Sequence, residues 1–293
     1  MKGKSIYHLL ALFVTIVWGV TFVSTKVLLL HGLSPANIFI FRFIIAYVAI
    51  WFFSPKKLFA ETKKDEFLFV VMGITGGSMY FMAENTALSY TLASNVSLII
   101  STAPLITAFM SHLWVKGESV NKTLIYGSLL ALAGVACVVY NGSFILKMNP
   151  IGDLLTLASA TLWGFYTIIL KRLDTIYPIL FITRKIFFYG LMTLAPTFII
   201  WPTTIDLAGL LKPTVLANLL FLSLVASMLC YIFWNVAVKN LGAIRTTNYI
   251  YLTPIITFAA SVIVLNESIT PVAIAGAICI LCGLWLAGRE KTR

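Results

Sequence analysis

Apolar residues come in long runs along the chain, broken by charges, prolines, glycines and asparagines. A helix needs about 20 apolar residues to cross the hydrocarbon of a bilayer. By that measure the runs predict transmembrane helices near 6–30, 35–53, 67–90, 92–115, 121–140, 150–171, 178–201, 213–237, 243–264 and 270–288. Most connections are short, so these spans are expected to form one bundle. The run from Ile6 to Leu30 follows Lys2 and Lys4, as a signal peptide would. It exceeds the roughly 7–15 residues of such a core, and no small-x-small site follows it, so it is read as a retained first helix.

Composition sharpens this picture. Of 293 residues, 60% are hydrophobic and 11% are charged, with a mean hydropathy of +0.98. A soluble domain carries about 25% charged residues, and no such domain fits between the apolar runs. The formal net charge is +11, and its distribution orients the bundle. With the N-terminus in the cytoplasm, only Lys147 and Lys212 fall outside, while Lys26, Arg42, Arg184 and Lys185 lie within spans. The remaining basic residues, from Lys2 to Arg293, are cytoplasmic, as the positive-inside rule requires. The expected location is the plasma (bacterial inner) membrane with both termini cytoplasmic. The positive charge is topological, and nucleic acid is not an expected partner. Cys137, Cys230, Cys279 and Cys282 all sit in apolar runs without a ligand cluster. They are read as small buried hydrophobes, so no metal or other cofactor is expected.

The chain also repeats itself. Trp18-Gly19 with Lys26 is matched by Trp163-Gly164 with Lys171. Asn85, Ala87, Leu88, Ala93 and Pro104 are matched, 150 positions later, by Asn235, Ala237, Val238, Ala243 and Pro254. Glu118 is echoed by Glu267, and Gly127 and Gly134 by Gly276 and Gly283. The predicted fold is an all-α membrane protein of ten transmembrane helices, divided into halves 1–148 and 149–293. Five spans per half force the second half to enter the membrane in the opposite sense. Inverted repeats of this kind place a ligand site between the halves, near the midplane.

The stretch WGVTFVSTK, then ALSYTLASNVSLIISTAPLITA closing on Gly117-Glu118, resembles the EamA-type permeases of the drug/metabolite transporter superfamily. The second half repeats the pattern as WNVAVKNLGAIRTTNYIYLTPIITFAASVIVLNESIT. The resemblance implies ten helices, cytoplasmic termini and transport of a small metabolite, often outward, without an ATP-hydrolysing domain. It does not fix a substrate.

Ionisable residues within spans are costly and mark pathways or ion pairs. Glu84 is the only acid well inside a predicted span, about 9 Å from the outer end of the third helix at 1.5 Å per residue. Lys26 and Arg42 fall in the same half of the membrane, so the three are expected to cluster. Arg42 with Glu84 reads either as a structural ion pair or as part of the pathway, with Glu84 binding substrate or a proton. Arg184 and Lys185 lie near the inner end of the seventh span, with no acid expected at their depth, and Lys26 and Lys185 could also snorkel to an interface. Tyr80 and Glu84 share a helical face, and the corresponding face of the second half carries Tyr231 and Asn235. Trp18 and Trp163 sit far from the interfaces where aromatic belts form, and Tyr166, Asn248 and Tyr249 add polar tips at membrane depth. These groups suit a cavity for an amphipathic ligand, against the plainer reading of core packing. The glycines with their three- and six-residue gaps read as close helix contacts. Pro104 and Pro254 read as hinges, kinks or sources of free carbonyls.

Together these residues describe a secondary transporter, expected to work as an exporter by alternating access on a small organic solute. Four bases against one acid favour a solute with a carboxylate, such as an amino acid. The alternative is an exporter of organic cations or drugs with Glu84 as the cation or proton site. The expected partners are that solute, the lipid bilayer and protons as a candidate coupling ion, with oligomeric state left open. His8, His31 and His112 share no motif and no enzyme constellation is visible. A filter loop or pore-lining ring, which a channel would use, is also missing from the sequence.

Overall fold

The computed structural model describes residues 4–54, 57–114, 121–140, 149–200, 207–265 and 271–287, so Glu118 and Glu267 lie outside the described residues. Within them the chain makes ten helical passes. These are α1 (Ser5–Leu30), α2 (Pro35–Trp51), α3 (Lys63–Tyr90), α4 (Ala93–Ile100 and Ala103–Trp114) and α5 (Lys122–Tyr140) in the first half. In the second half they are α6 (Pro150–Leu173), α7 (Ile179–Ile200), α8 (Pro213–Leu241), α9 (Ala243–Thr247, Asn248–Leu252 and Thr253–Leu265) and α10 (Pro271–Ala287). Passes α1, α3, α4, α6, α7 and α8 are long and apolar enough to cross a membrane, and α2, α5 and α10 hold shorter apolar helices.

Local chemistry sets the ends. Ser34 accepts from Asn37 N ahead of Pro35 at the start of α2, and Asn149 does the same for Ile151 and Gly152 ahead of Pro150. Both are side-chain caps followed by a proline in the first turn, where its missing N–H costs nothing. α3 begins at Lys63, four residues earlier than its apolar run, because Thr62 accepts from Asp65 N.

Both halves break their third and fourth helices at matching places. α3 is π-helical over Ile74–Ser78, with Gly77 at φ −131° and ψ −105°, and α8 is π-helical over Phe221–Leu229. α4 is interrupted after Ile100, and α9 passes through a 3-10 turn at Asn248–Leu252. Pro104 and Pro254 each stand second in the helical piece that follows the break. They therefore start those pieces instead of kinking a helix from within.

The halves interlock. α1 packs on α8 and α9 of the second half, and α6 packs on α3 and α4 of the first. α2 packs along the π-helical part of α8, and α7 along α3 with its π-helical turn. Each half thus lends its first two helices to the third and fourth of the other.

α5 and α10 pair with each other, and their glycines show how they run. A Cβ on Gly127 would lie 2.6 Å from Gly283 O, and one on Gly134 would lie 2.6 Å from Gly276 O. Rising numbers on α5 therefore meet falling numbers on α10, an antiparallel contact between equivalent helices. That is the relation which two inverted repeats impose.

Candidate functional site

A π-helical turn leaves backbone carbonyls without their usual donor, and here side chains supply it. Gly76 O accepts from Tyr231 Oη at 2.5 Å, and Ala226 O accepts from Trp18 Nε1 at 3.0 Å. Gly76 and Ala226 are 150 positions apart, so the same carbonyl is captured in each half by an aromatic side chain. The donors belong to one cluster where the halves meet. Trp18 lies 5.1 Å from Trp163 at 89° between ring planes, and 4.9 Å from Trp234. Trp163 in turn contacts Tyr80 at 5.3 Å and Tyr166 at 4.8 Å.

Against this cluster lies a cavity lined by Trp18, Thr21, Phe22, Arg42, Tyr80, Phe81, Glu84, Ile100, Ala103, Trp163, Tyr231, Ile250 and Thr253. About 40 Å³ of it is open to the centre of a water molecule. That suffices for a few waters and falls far below the roughly 300–1,000 Å³ of ligand clefts. The site is narrow in this conformation. A broader groove beside Leu68, Trp114, Phe165 and Lys171 shares no residue with it and holds no acid.

Arg42 and Glu84 are the charged groups of the cavity. Arg42, 2% exposed, donates from Nε to Ser227 Oγ in the π-helical part of α8 at 2.5 Å. Its guanidinium carbon stands 4.3 Å from the centroid of the Phe81 ring. Nε is thus tied to α8, and the residue lines the cavity. Glu84, 4% exposed, accepts from Tyr80 Oη at 2.5 Å. The two do not close to an ion pair: among the described residues, salt bridges join Lys57 to Glu61, Lys171 to Asp174 and Lys185 to Glu66. One cation and one acid thus share the cavity, each held by a neutral partner.

Trp18, Arg42, Tyr80, Glu84, Trp163 and Tyr231 are brought together here from the sequence-derived set. The others fall elsewhere. Tyr166 donates to Asn235 Oδ1 at 2.5 Å, and Asn235 Nδ2 donates to Thr183 at 3.0 Å, so both are used up behind the aromatic cluster. Tyr249 bonds His8 Nδ1 at 2.9 Å, near the start of α1. Asn248 is buried in the 3-10 turn and does not reach the cavity lining. Sequence reasoning passed over Ser227 and Trp234. Ser227 is the repeat partner of Gly77, and Trp234 precedes the aligned Asn235, so the offset of 150 already pointed to both.

Two expectations are corrected. Lys26 does not join Arg42 and Glu84. Its Nζ donates to Leu88 O at 2.6 Å and Thr91 O at 3.3 Å, capping the carboxyl end of α3, where a cation is favoured. Lys171 repeats the role in the second half, donating to Lys239 O at 3.2 Å. Nor is Lys185 without an acid. It pairs with Glu66, which also accepts from Tyr189 and from Ala60 N. Glu66 was missed because it precedes the apolar run of the third span, while the capped helix begins at Lys63. Arg184, beside it, donates to Ser54 O and Lys57 O, tying the α2–α3 connection to α7.

Two interlocked five-helix halves thus surround a buried, charged and aromatic site, and comparison with known proteins supplies the family. The profile of the EamA-like transporter family matches residues 5–140 and again residues 150–289. The chain belongs to the EamA-like transporter family. An uncharacterized transporter of Archaeoglobus fulgidus is 28% identical over 99% of both chains. A protein of Escherichia coli described as a probable amino-acid metabolite efflux pump is 24% identical, over 94% of this chain and 93% of its own. A solved crystal structure matches with a TM-score of 0.75 at 15% identity, covering 97% of this chain and 96% of that one, which shows the shared fold. The protein is therefore an integral membrane member of a transporter family, whose partners are a small-molecule solute and the lipid around it.

Proposed function

We propose that the protein is a secondary transporter that exports a small organic metabolite bearing a carboxylate, an amino acid being the class that fits the site. The observation that carries this reading is the buried guanidinium of Arg42, which lines the cavity and is fixed through Nε to Ser227. A planar fork of donors suits a carboxylate. Glu84 in the same cavity gives the ammonium group of an amino acid a counter-charge, and the Trp18, Trp163 and Tyr231 rings give its side chain an apolar wall. The efflux-pump relative is consistent with this cargo and direction.

The site is too small for such a solute in the conformation described, so loading requires the halves to part. Alternating access follows if they part toward one face and then the other. In this reading the termini are cytoplasmic in a bacterial inner membrane, as the basic residues favour, and the protein is a carrier and not an enzyme. Glu84 is the group that would carry a coupling proton.

Counterflow in proteoliposomes with labelled amino acids and amines, with and without a pH gradient, tests the proposal. Wild-type protein is expected to exchange amino acids saturably, and Arg42→Gln to lose at least tenfold of that exchange. Undiminished exchange in Arg42→Gln would remove the carboxylate assignment. A second reading rests on Glu84 beside the electron-rich faces of Trp18 and Trp163, which also suit an organic cation. Exchange of amines but not amino acids, abolished by Glu84→Gln, would establish it instead.

A further inference from the structure

Equivalent atoms of the two halves are in different states. Thr257 of α9 donates its Oγ1 to Gly19 O of α1 at 2.9 Å, across the boundary between halves. The repeat places Thr107 of α4 beside Gly164 of α6 in the same way. There Thr107 Oγ1 is fully buried and has no hydrogen-bond partner among the described residues. The indoles behave alike: Trp18 Nε1 bonds Ala226 O, whereas Trp163 Nε1 is buried without a partner. The carbonyl that Trp163 would claim by symmetry, Gly76 O, is held by Tyr231.

Packing differs in the same sense. A Cβ on Gly19 would stand 2.5 Å from Ile256 Cβ, on the rigid stem of a β-branched side chain. A Cβ on Gly164 would meet Met110 Sδ at 2.9 Å, with Thr107 Oγ1 3.6 Å away. The α1–α9 contact is drawn tight and bonded, while the α6–α4 contact is looser and unbonded. Each lies just past the middle of its pass, and the halves run in opposite senses. The two contacts therefore face opposite sides of the membrane centre.

A buried hydroxyl without a partner is costly, and its cost is accounted for when another conformation uses it. We infer that Gly19–Thr257 and Gly164–Thr107 are alternative latches, each made in one of two conformations. Here the first is made and the second is open. In the opposite-facing conformation Thr107 donates to Gly164 O and Thr257 lets go of Gly19. Release does not strand Thr257, because its hydroxyl also reaches Thr253 O in its own helix at 3.0 Å. The inference rests on the alternating-access reading, yet it concerns which face is open and not what is carried.

The test reads accessibility. In protein whose four cysteines are replaced by alanine, a single reporter is introduced as Ala103→Cys or, separately, Thr253→Cys. These are repeat-equivalent positions that both line the cavity. A membrane-impermeant thiol reagent is applied from either side of oriented vesicles. Thr257→Val is expected to shift the ratio of the two labelling rates about fivefold toward one face, the population change that one net hydrogen bond commands. Thr107→Val is expected to shift it by a similar factor toward the other face. Thr257→Ser and Thr107→Ser, which keep the hydroxyl, should return the ratio to that of the parent and so exclude general damage. Shifts in the same direction, or no shift in either valine variant, would overturn the latches. Opposite shifts in a protein that shows no counterflow would leave the latches standing and remove the transport reading.

Discussion

Trp18 and Trp163 are equivalent residues of the two halves, and they touch each other edge to face, 5.1 Å between centroids. Two equivalent residues can meet only close to the axis that relates them. The pair therefore marks the centre of the pseudo-symmetric assembly, and the cavity opens beside it.

Symmetry of position does not bring symmetry of bonding, which gives a first prediction. Trp18→Phe removes the donor from Ala226 O and should cost about 1 kcal/mol beyond the lost ring area. Trp163→Phe removes a buried donor that has no acceptor here, so it should be the milder change. Thermal unfolding of the two variants in detergent, side by side, checks the order.

The pair of Lys185 and Glu66 fastens α7 to the start of α3, with Lys185 3% and Glu66 21% exposed. Removing one partner from a largely buried pair costs about 3 kcal/mol, much of it the stranded charge. Lys185→Met is expected to lower the unfolding temperature sharply, and adding Glu66→Leu to recover part of the loss. A double-mutant cycle measures the coupling, and additive losses would show that the pair is not coupled.

The α5–α10 contact leaves no room for a side chain at Gly127, Gly134 or Gly283. In Gly134→Val the first added carbon would fall 2.6 Å from Gly276 O and 2.7 Å from Ile280 N, both backbone. Backbone cannot swing aside as a side chain can, so the helices must separate. A loss of about 1–3 kcal/mol is expected from such overpacking, seen as earlier unfolding in detergent.

Asp174 follows the end of α6. It is 1% exposed, and neither carboxylate oxygen has a hydrogen-bond partner among the described residues, although Lys171 Nζ stands 3.7 Å away. Burial raises its pKa above the ordinary carboxylate range, while Lys171 and Lys239 oppose the shift. The folded protein thus holds this proton more tightly than the unfolded chain does. Its ionisation costs stability above the raised pKa, and that loss is relieved as the pH falls toward the ordinary carboxylate range. Asp174→Asn is expected to unfold at a higher temperature than wild type at pH 8, the gap closing as the pH drops. Unfolding temperatures measured from pH 8 down to about pH 4, the ordinary carboxylate range, provide the check.

Most of the fold was legible because the membrane forces it. Hydrocarbon demands long apolar helices, and the odd number per half demands inversion, so runs and repeats are enough. What escaped depends on contacts between halves. Glu66 escaped because it lies one residue before the apolar run, its partner, Lys185, is 119 positions away, and the cap at Thr62 draws it into the helix. Lys26 looked like a cavity base because helical depth alone does not reveal that a carboxyl helix end lies within its reach. Tyr166 and Asn235 looked like site groups because nothing local shows that they satisfy each other. Arg42, Glu84, Trp18 and Trp163, which line the cavity, stood out in the sequence because a charge or an indole at the membrane centre is unusual wherever it points.

The interlocking of the halves also sets the order in which the molecule can be completed. Trp18 waits for Ala226, 208 residues later. At about 5–20 residues per second of synthesis, α1 has been in the bilayer for roughly 10–40 s before its principal partners exist. During that interval lipid, or a helper in the membrane, must cover the face that α8 and α9 will take. The first half is therefore a guest of the bilayer until the second arrives, and the bundle closes only once α8 and α9 have been made.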